Sequence, residues 1–298
     1  MFFERSKAIT LDNAEIAYFD NELVHRPTIV FIHGNSGSHR TFEKQACSPL
    51  NELYRLVFFD LPGHGDSSLL KGEMSFSLPS YASVVIELLE KLQIKKPLVV
   101  GHSLGGHIAL EVVGRGFEVA GVCIVGTPPV ANPPNLSEAF LPNPYSNLFF
   151  GGAISRSQAE ILVSQNFGQS FNSNIDRFVE DFQNTEPTAR IQLYESVAAL
   201  KFSDEIEIVK NLEFPICVVF GNEEKLMSIE YAKKIEIPTL WRKKIQIVSA
   251  AGHMPQFEEP EFFNKILNQY ASDIWKVDQP LMRERPDLGL DPETTTLL

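Results

Sequence analysis

The sequence predicts an α/β protein with an eight-stranded, mostly parallel sheet, helices on both faces and a helical lid insertion. Three observations carry that expectation. Short runs rich in Val, Ile and Phe alternate with helix-length amphipathic stretches, the pattern of a parallel sheet covered on both sides. The alternation stops near Thr127 and resumes near Lys210, which marks an insertion. Between the apolar run at 97–100 and a helical pattern at 104–114 stands Gly101-His102-Ser103-Leu104-Gly105, a Gly-x-Ser-x-Gly turn joining a strand to a helix.

In chain order, strands are expected at 7–11, 15–19, 28–32, 56–59, 98–100, 121–125, 216–220 and 245–248. Helical periodicity falls at 40–50, 78–92, 104–115, 229–235 and 260–274. The insertion begins with Pro128, Pro129, Pro133, Pro134, Pro142 and Pro144 and continues into helical patterns at 158–166 and 175–184. Its aromatics, Phe149, Phe150, Phe167, Phe171, Phe178, Phe182 and Tyr194, either line an apolar cavity or pack the lid onto the main domain. From Val277 the chain is polar, contains proline and has no period that would bury a face. The expected organisation is therefore a core of 1–126 and 211–276, a lid of 127–210 and a loosely attached tail of 277–298.

With 298 residues, 44% hydrophobic and 21% charged, the chain has enough apolar sequence for a large core. A formal net charge of −12 opposes nucleic acid and anionic membrane surfaces by long-range repulsion. Neither a signal peptide nor an apolar run long enough to span a bilayer is evident. Cys47, Cys123 and Cys217 are odd in number and far apart, and read as reduced core thiols suited to the cytoplasm.

A serine on a tight strand-to-helix turn holds its hydroxyl out of the sheet, but it needs a base, normally a histidine oriented by a carboxylate. Of seven histidines, His253 alone follows a late strand, in Ala250-Ala251-Gly252-His253-Met254. His107, four residues beyond Ser103, would lie along its own helix face. For the acid, the strand at 216–220 runs into Gly221-Asn222-Glu223-Glu224, and Glu224 is preferred to Glu223 because it lies one turn beyond the strand end. The stretch after the strand at 121–125, Gly126-Thr127-Pro128-Pro129-Val130, holds no carboxylate. A tetrahedral oxyanion requires preorganised N–H donors, and the backbone N–H groups of Leu104 and of Asn35, in His33-Gly34-Asn35-Ser36-Gly37, are the candidates. The turn Asp60-Leu61-Pro62-Gly63-His64-Gly65-Asp66-Ser67 is assigned a structural role.

Together these residues resemble the α/β-hydrolase superfamily over about 28–274, in the order Ser103, Glu224, His253. Within it, the chain is most similar to the metal-free N-acyl-homoserine lactonases. That similarity rests on Ile32-His-Gly-Asn-Ser-Gly, Ser103-Leu-Gly-Gly-His-Ile, Gly126-Thr-Pro-Pro-Val130 and a Glu at 224 where most relatives carry Asp. It implies a quorum-quenching serine lactonase that opens its substrate through an acyl-enzyme, without cofactor or metal. The partner would be a small acyl ester or lactone. His102, where some relatives carry an aromatic, Phe149, Phe150, Phe167 and Tyr194 are the expected pocket residues. A carboxylesterase or thioesterase on another acyl ester would use the same triad, and a hydrolase-fold receptor with little turnover is a third possibility. Position 103 being Ser disfavours epoxide hydrolases and dehalogenases, and no His-x-His-x-Asp-His cluster exists for a metal-dependent lactonase.

Overall fold

The computed structural model describes residues 6–72 and 75–276. Its eight strands are β1 (Lys7–Thr10), β2 (Glu15–Asp20), β3 (Thr28–Ile32), β4 (Arg55–Phe59), β5 (Leu98–His102), β6 (Gly121–Val125), β7 (Ile216–Gly221) and β8 (Gln246–Val248). They form one sheet in the order β1-β2-β4-β3-β5-β6-β7-β8, antiparallel at β1/β2 and β2/β4 and parallel elsewhere. Every residue of β4, β5, β6 and β7 is buried. These strands read as continuous apolar runs because helices cover both faces.

Two helices, α1 (Glu43–Ala46) and α2 (Leu50–Leu53), precede β4; α3 (Leu78–Lys91) and α4 (Leu104–Gly114) flank β5. The single helix expected at 40–50 is broken. A 3-10 turn at His39–Phe42 is capped by Ser38, and Pro49 disfavours helical backbone at Ser48. In the insertion lie α5 (Leu136–Ala139), α6 (Ser146–Phe149), α7 (Arg156–Ser164), α8 (Asp176–Asn184), α9 (Pro187–Ala198) and α10 (Glu205–Lys210). The last of these packs on α4, where Glu205 holds His107 and Ile208 meets Gly114. Then come α11 (Ile229–Lys234), α12 (Pro255–Glu258) and α13 (Pro260–Trp275). The polar tail expected at 277–298 lies outside the described residues.

One apolar cluster joins α3 and α4 to one side of the sheet through Val85, Leu88, Ile108 and Val112. On the other side Phe263, Leu267 and Tyr270 of α13 pack with Phe31, Phe58 and Val100. A third, smaller cluster ties the lid together through Leu162, Val163, Phe167, Phe178 and Phe182, and includes Met254 and Phe257 of the core. Cys123 and Cys217 are buried register partners and free thiols, whereas Cys47 is exposed rather than a core residue.

From β3 the chain moves outward to β4, but from β5 it moves the other way to β6. The sheet therefore has its topological switch point between β3 and β5, where the loops leaving the two strands diverge and open a crevice at their carboxyl ends. Into that crevice run His33–Gly37 after β3 and Ser103 after β5.

Candidate active site

Ser103 occupies the N-cap position of α4 with φ 51° and ψ −118°, a strained conformation at the turn. Ser38, Ser77, Ser155 and Ser228 each cap their own helices with the hydroxyl; Ser103 does not. Its Oγ makes no hydrogen bond among the described residues and remains available for chemistry. Glycines make the turn possible. A Cβ at Gly101 would lie 2.2 Å from the Gly105 carbonyl oxygen, and one at Gly105 would lie 2.1 Å from that of Ile32.

The loop after β3 lies directly against the serine, since a Cβ on Gly34 would sit 3.2 Å from Ser103 Cβ. His33 pins this loop: its Nδ1 bonds the Gly34 carbonyl at 2.8 Å, and Nε2 accepts from Leu61 N–H at 2.9 Å. Burial lowers the His33 pKa, consistent with a neutral ring that both donates and accepts. Neither the Asn35 nor the Leu104 N–H has a hydrogen-bond partner among the described residues. Two unpartnered N–H groups thus lie near Ser103, one on the loop whose Gly34 meets it and one at a helix N-terminus.

His253 and Glu224 form a pair at 2.8 Å, Nδ1 to Oε2, with side chains only 2% and 1% exposed. Glu224 is held by its other oxygen, which accepts the N–H groups of Leu226 at 2.8 Å and Met227 at 3.3 Å. The imidazole rests on Gly126, where a Cβ would approach its Nδ1 and Cε1 to 2.9 Å. Gly126 is the neighbour of Val125, whose carbonyl accepts the Ser103 N–H at 2.8 Å, so the histidine and the serine share the crevice. Thr127 Oγ1 donates to the Ser103 carbonyl at 2.9 Å and secures the same corner. No hydrogen bond joins Ser103 Oγ to His253 among the described residues.

Two other histidines pair with carboxylates. His39 bonds Asp60 at 2.9 Å beneath the 60–67 turn, and His107 bonds Glu205 at 2.8 Å away from the serine, along its own helix face. Burial opposes ionisation of Asp60, but the His39 bond and charge, the His33 ring and the Asp66 N–H together outweigh it and the pKa falls. Asp60 also accepts the Asp66 N–H at 2.9 Å, and a Cβ on Gly65 would lie 2.2 Å from its Oδ2. That turn is structural. His64, buried against the same turn, has its pKa pushed down to about 3 by burial.

Glu223, the acid not preferred, faces the lid and accepts the Gln169 N–H. His102 bonds the His253 carbonyl through Nε2 at 2.9 Å, and its buried Nδ1 has no partner. Burial holds that ring neutral, with its pKa well below the ordinary histidine range. A cavity of about 40 Å³ lies between the 34–37 loop and the lid, lined by His102, Val163, Asn166, Phe178, Phe182 and Met254 among others. Of the aromatics expected there, Phe149 is half-buried and offers its carbonyl to Asn35 Nδ2 at 3.2 Å. Phe167 packs against Phe171 and Phe178 and against Phe257 of α12, while the Phe150 ring lies tilted 5.7 Å from that of Tyr194, which is 55% exposed. Phe178 and Phe182 take the lining positions; their helical spacing placed them on one face of α8 without saying which part of the core that face meets.

Sequence reasoning also missed Arg190. Fully buried, it donates to the carbonyls of Gly151, Gly152, Phe182 and Thr185, and to Ser36 Oγ at 3.5 Å, tying the lid to the loop beside Ser103. Asp181 makes a second tie by accepting from Ser38 Oγ at 2.6 Å and Arg40 at 3.3 Å. A larger depression of about 460 Å³ lies between β8 and α13, lined by Arg242, Lys244, Phe262 and Lys265 with their neighbours. It contains neither the serine nor the histidine pair. Among the described residues no helix is long and apolar enough to cross a membrane, and no cluster of three or more His, Cys, Asp or Glu side chains is arranged to hold a metal.

A model of the alpha/beta hydrolase family matches residues 29–266. Crystal structures of the N-acyl homoserine lactonase AidH are similar to this chain. The complex with N-butanoyl homoserine has a TM-score of 0.84 at 28% identity, covering 92% of this chain and 99% of that one. A glutamate-to-glycine variant with N-hexanoyl homoserine has a TM-score of 0.86 at 28% identity, covering 92% and 98%. In sequence the chain is similar to YugF, an uncharacterized hydrolase of Bacillus subtilis (strain 168), at 24% identity over 277 residues, or 91% of this chain and 97% of the relative.

Proposed function

The chain belongs to the alpha/beta hydrolase family, and from that premise we propose that it is a serine hydrolase opening the lactone ring of N-acyl-homoserine lactones. The observation that carries this reading is the free Ser103 hydroxyl on its strained turn, beside two unpartnered N–H groups and the buried His253–Glu224 pair. Similarity to a lactonase along nearly the whole chain supports the substrate class.

In this mechanism the His253 Nδ1–H donates to Glu224, which leaves Nε2 unprotonated to accept the Ser103 proton as Oγ attacks the lactone carbonyl. The oxyanion that forms is held by the Asn35 and Leu104 N–H groups; each such donor is worth about 10²–10³ in rate. Collapse breaks the ring C–O bond, and the departing alkoxide takes the proton back from His253. It stays tethered to the acyl group, so the intermediate is an acyl-Ser103 ester carrying a free hydroxyl. Water, deprotonated by the same histidine, attacks that ester and releases N-acyl-homoserine and Ser103. Glu224 stabilises the imidazolium in both halves.

A second reading, a carboxylesterase on small esters, is favoured by the space available. The 40 Å³ cavity beside Asn35 is well below the roughly 150 Å³ that accommodates a benzene ring. The decisive experiment incubates purified protein with homoserine lactones of several acyl lengths and follows proton release, with p-nitrophenyl acetate alongside. Lactone opening by the native chain, absent in Ser103→Ala and unaffected by EDTA, is the expected result. Ester turnover without opening of any lactone would transfer the assignment to the esterase.

A further inference from the structure

The lid reaches the catalytic loops through a short strap, residues 166–169, between α7 and α8. The Asn166 carbonyl accepts the backbone N–H of His253 itself at 2.8 Å. Next along, the Phe167 carbonyl accepts from Lys225 Nζ at 2.6 Å, and the Gln169 N–H donates to Glu223. Residues on either side of the acid Glu224 therefore hold the strap. The two backbones pass in contact, since a Cβ on Gly252 would lie 2.5 Å from the Gly168 nitrogen.

The Glu258 carboxylate bridges strap and base loop. Glu258 Oε2 accepts the Gly168 N–H at 2.6 Å, while Oε1 accepts those of Gly252 at 2.9 Å and Met254 at 3.2 Å, the residues flanking His253. Neither segment is a helix or strand, so these N–H groups have no regular backbone partner and depend on this side chain. Burial raises the Glu258 pKa even though three N–H groups favour its ionised form.

We propose that Glu258 is a positioning residue for the reaction, one that sets the placement of the His253 loop by fastening it to the lid strap. The inference rests on the serine-hydrolase reading and deepens it. In consequence Gly168 of the strap and the His253 loop stay joined, and substrate does not enter by lifting the lid at that point. A displaced base loop would weaken proton transfer first, so the loss falls chiefly on kcat, with only the smaller change in KM that a shift of the cavity-lining Met254 and Asn166 brings. Misplacement of a catalytic group by about 1 Å is worth about 10²-fold in rate.

The test compares Glu258→Gln, Glu258→Ala and, as a control that keeps an oxygen for the Gln169 N–H, Glu223→Gln. Kinetics on p-nitrophenyl acetate are paired with hydrogen–deuterium exchange of the peptides spanning 166–169 and 252–254. Expected are a fall in kcat of at least about 30-fold for Glu258→Gln with KM within threefold, and a larger fall for Glu258→Ala, which keeps no acceptor. Exchange should rise in both peptides together, and Glu223→Gln should stay within about threefold in kcat. A kcat within twofold for both Glu258 variants, a change confined to KM, or faster exchange in only one peptide would overturn the proposal. Glu258→Gln is isosteric, so the test stands if Glu258→Ala fails to fold. Failure of the underlying reading looks different: ester turnover would then survive Ser103→Ala, and the exchange data alone would decide the coupling.

Discussion

Replacing Glu224 by Gln is the sharpest single perturbation of the site, because the structure dictates how the new side chain must sit. Glu224 Oε1 accepts two backbone N–H groups, from Leu226 and Met227, while Oε2 faces His253 Nδ1 at 2.8 Å. A glutamine has one oxygen, and the two N–H groups claim it. Its NH2 group is then turned onto His253 Nδ1, where two donors would oppose each other. The ring relieves this by moving its proton to Nε2, which leaves no lone pair to receive the Ser103 proton. The same tautomer error in serine-protease triads lowers kcat about 10⁴-fold, equivalent to about 5.5 kcal/mol of transition-state stabilisation. Fold and KM should change little, since the substitution is isosteric and the pair lies beneath the crevice. Steady-state hydrolysis of p-nitrophenyl acetate measures kcat, with thermal melting as the control for folding. A loss smaller than about tenfold, or a greater loss from Glu223→Gln than from Glu224→Gln, would refute the assignment of the acid.

Two further predictions concern the frame around the site. Gly105→Ala places a Cβ 2.1 Å from the Ile32 carbonyl oxygen, where Cβ contacts are not found below 3.0 Å, so α4 and β3 must part by about 0.9 Å. That movement separates Leu104 from Asn35; kcat should fall about 10²-fold and stability by about 1–3 kcal/mol, measured by kinetics and urea unfolding. The Asp181 carboxyl is pushed by burial from 3.8 up to about 6, against the Ser38 and Arg40 contacts that favour its ionised form. The folded state therefore binds more protons than the unfolded chain between those values, and stability declines as pH rises from about 4 to 6 and is flat above. Asp181→Asn keeps an acceptor for Ser38 but cannot ionise, so the native protein should lose up to about 3 kcal/mol relative to it across that window. Parallel urea-unfolding stabilities from pH 4 to 8 would contradict this.

Much of the fold was legible because its signals are local. The buried strands β5, β6 and β7 are unbroken apolar runs, and Gly101 and Gly105 announce a turn on which a larger residue would collide with backbone. Helix 40–50 was misread since periodicity continues through Pro49 while the backbone does not. At the site, Glu224 and His253 could be chosen by their positions after β7 and β8. Nothing local marked Phe178 and Phe182 as the cavity wall over Phe167 and Tyr194, because an aromatic's place in its own segment does not say which part of the core it meets.

The sequence by itself determined which segments form strands, the tight serine turn and the set of residue types a serine hydrolase needs. Those depend on period and spacing within a few residues. Only the tertiary structure showed the three histidine–carboxylate pairs among the described residues, with His253–Glu224 against Gly126, His39–Asp60 at the 60–67 turn and His107–Glu205 joining α4 to α10. Only it showed that Glu258 joins the lid to the base loop, across 90 residues of chain at Gly168. The physical reason is the same in both cases. A hydrogen bond between distant segments is selected by the burial of groups that would otherwise have no partner, and no periodicity along the chain records which groups will meet.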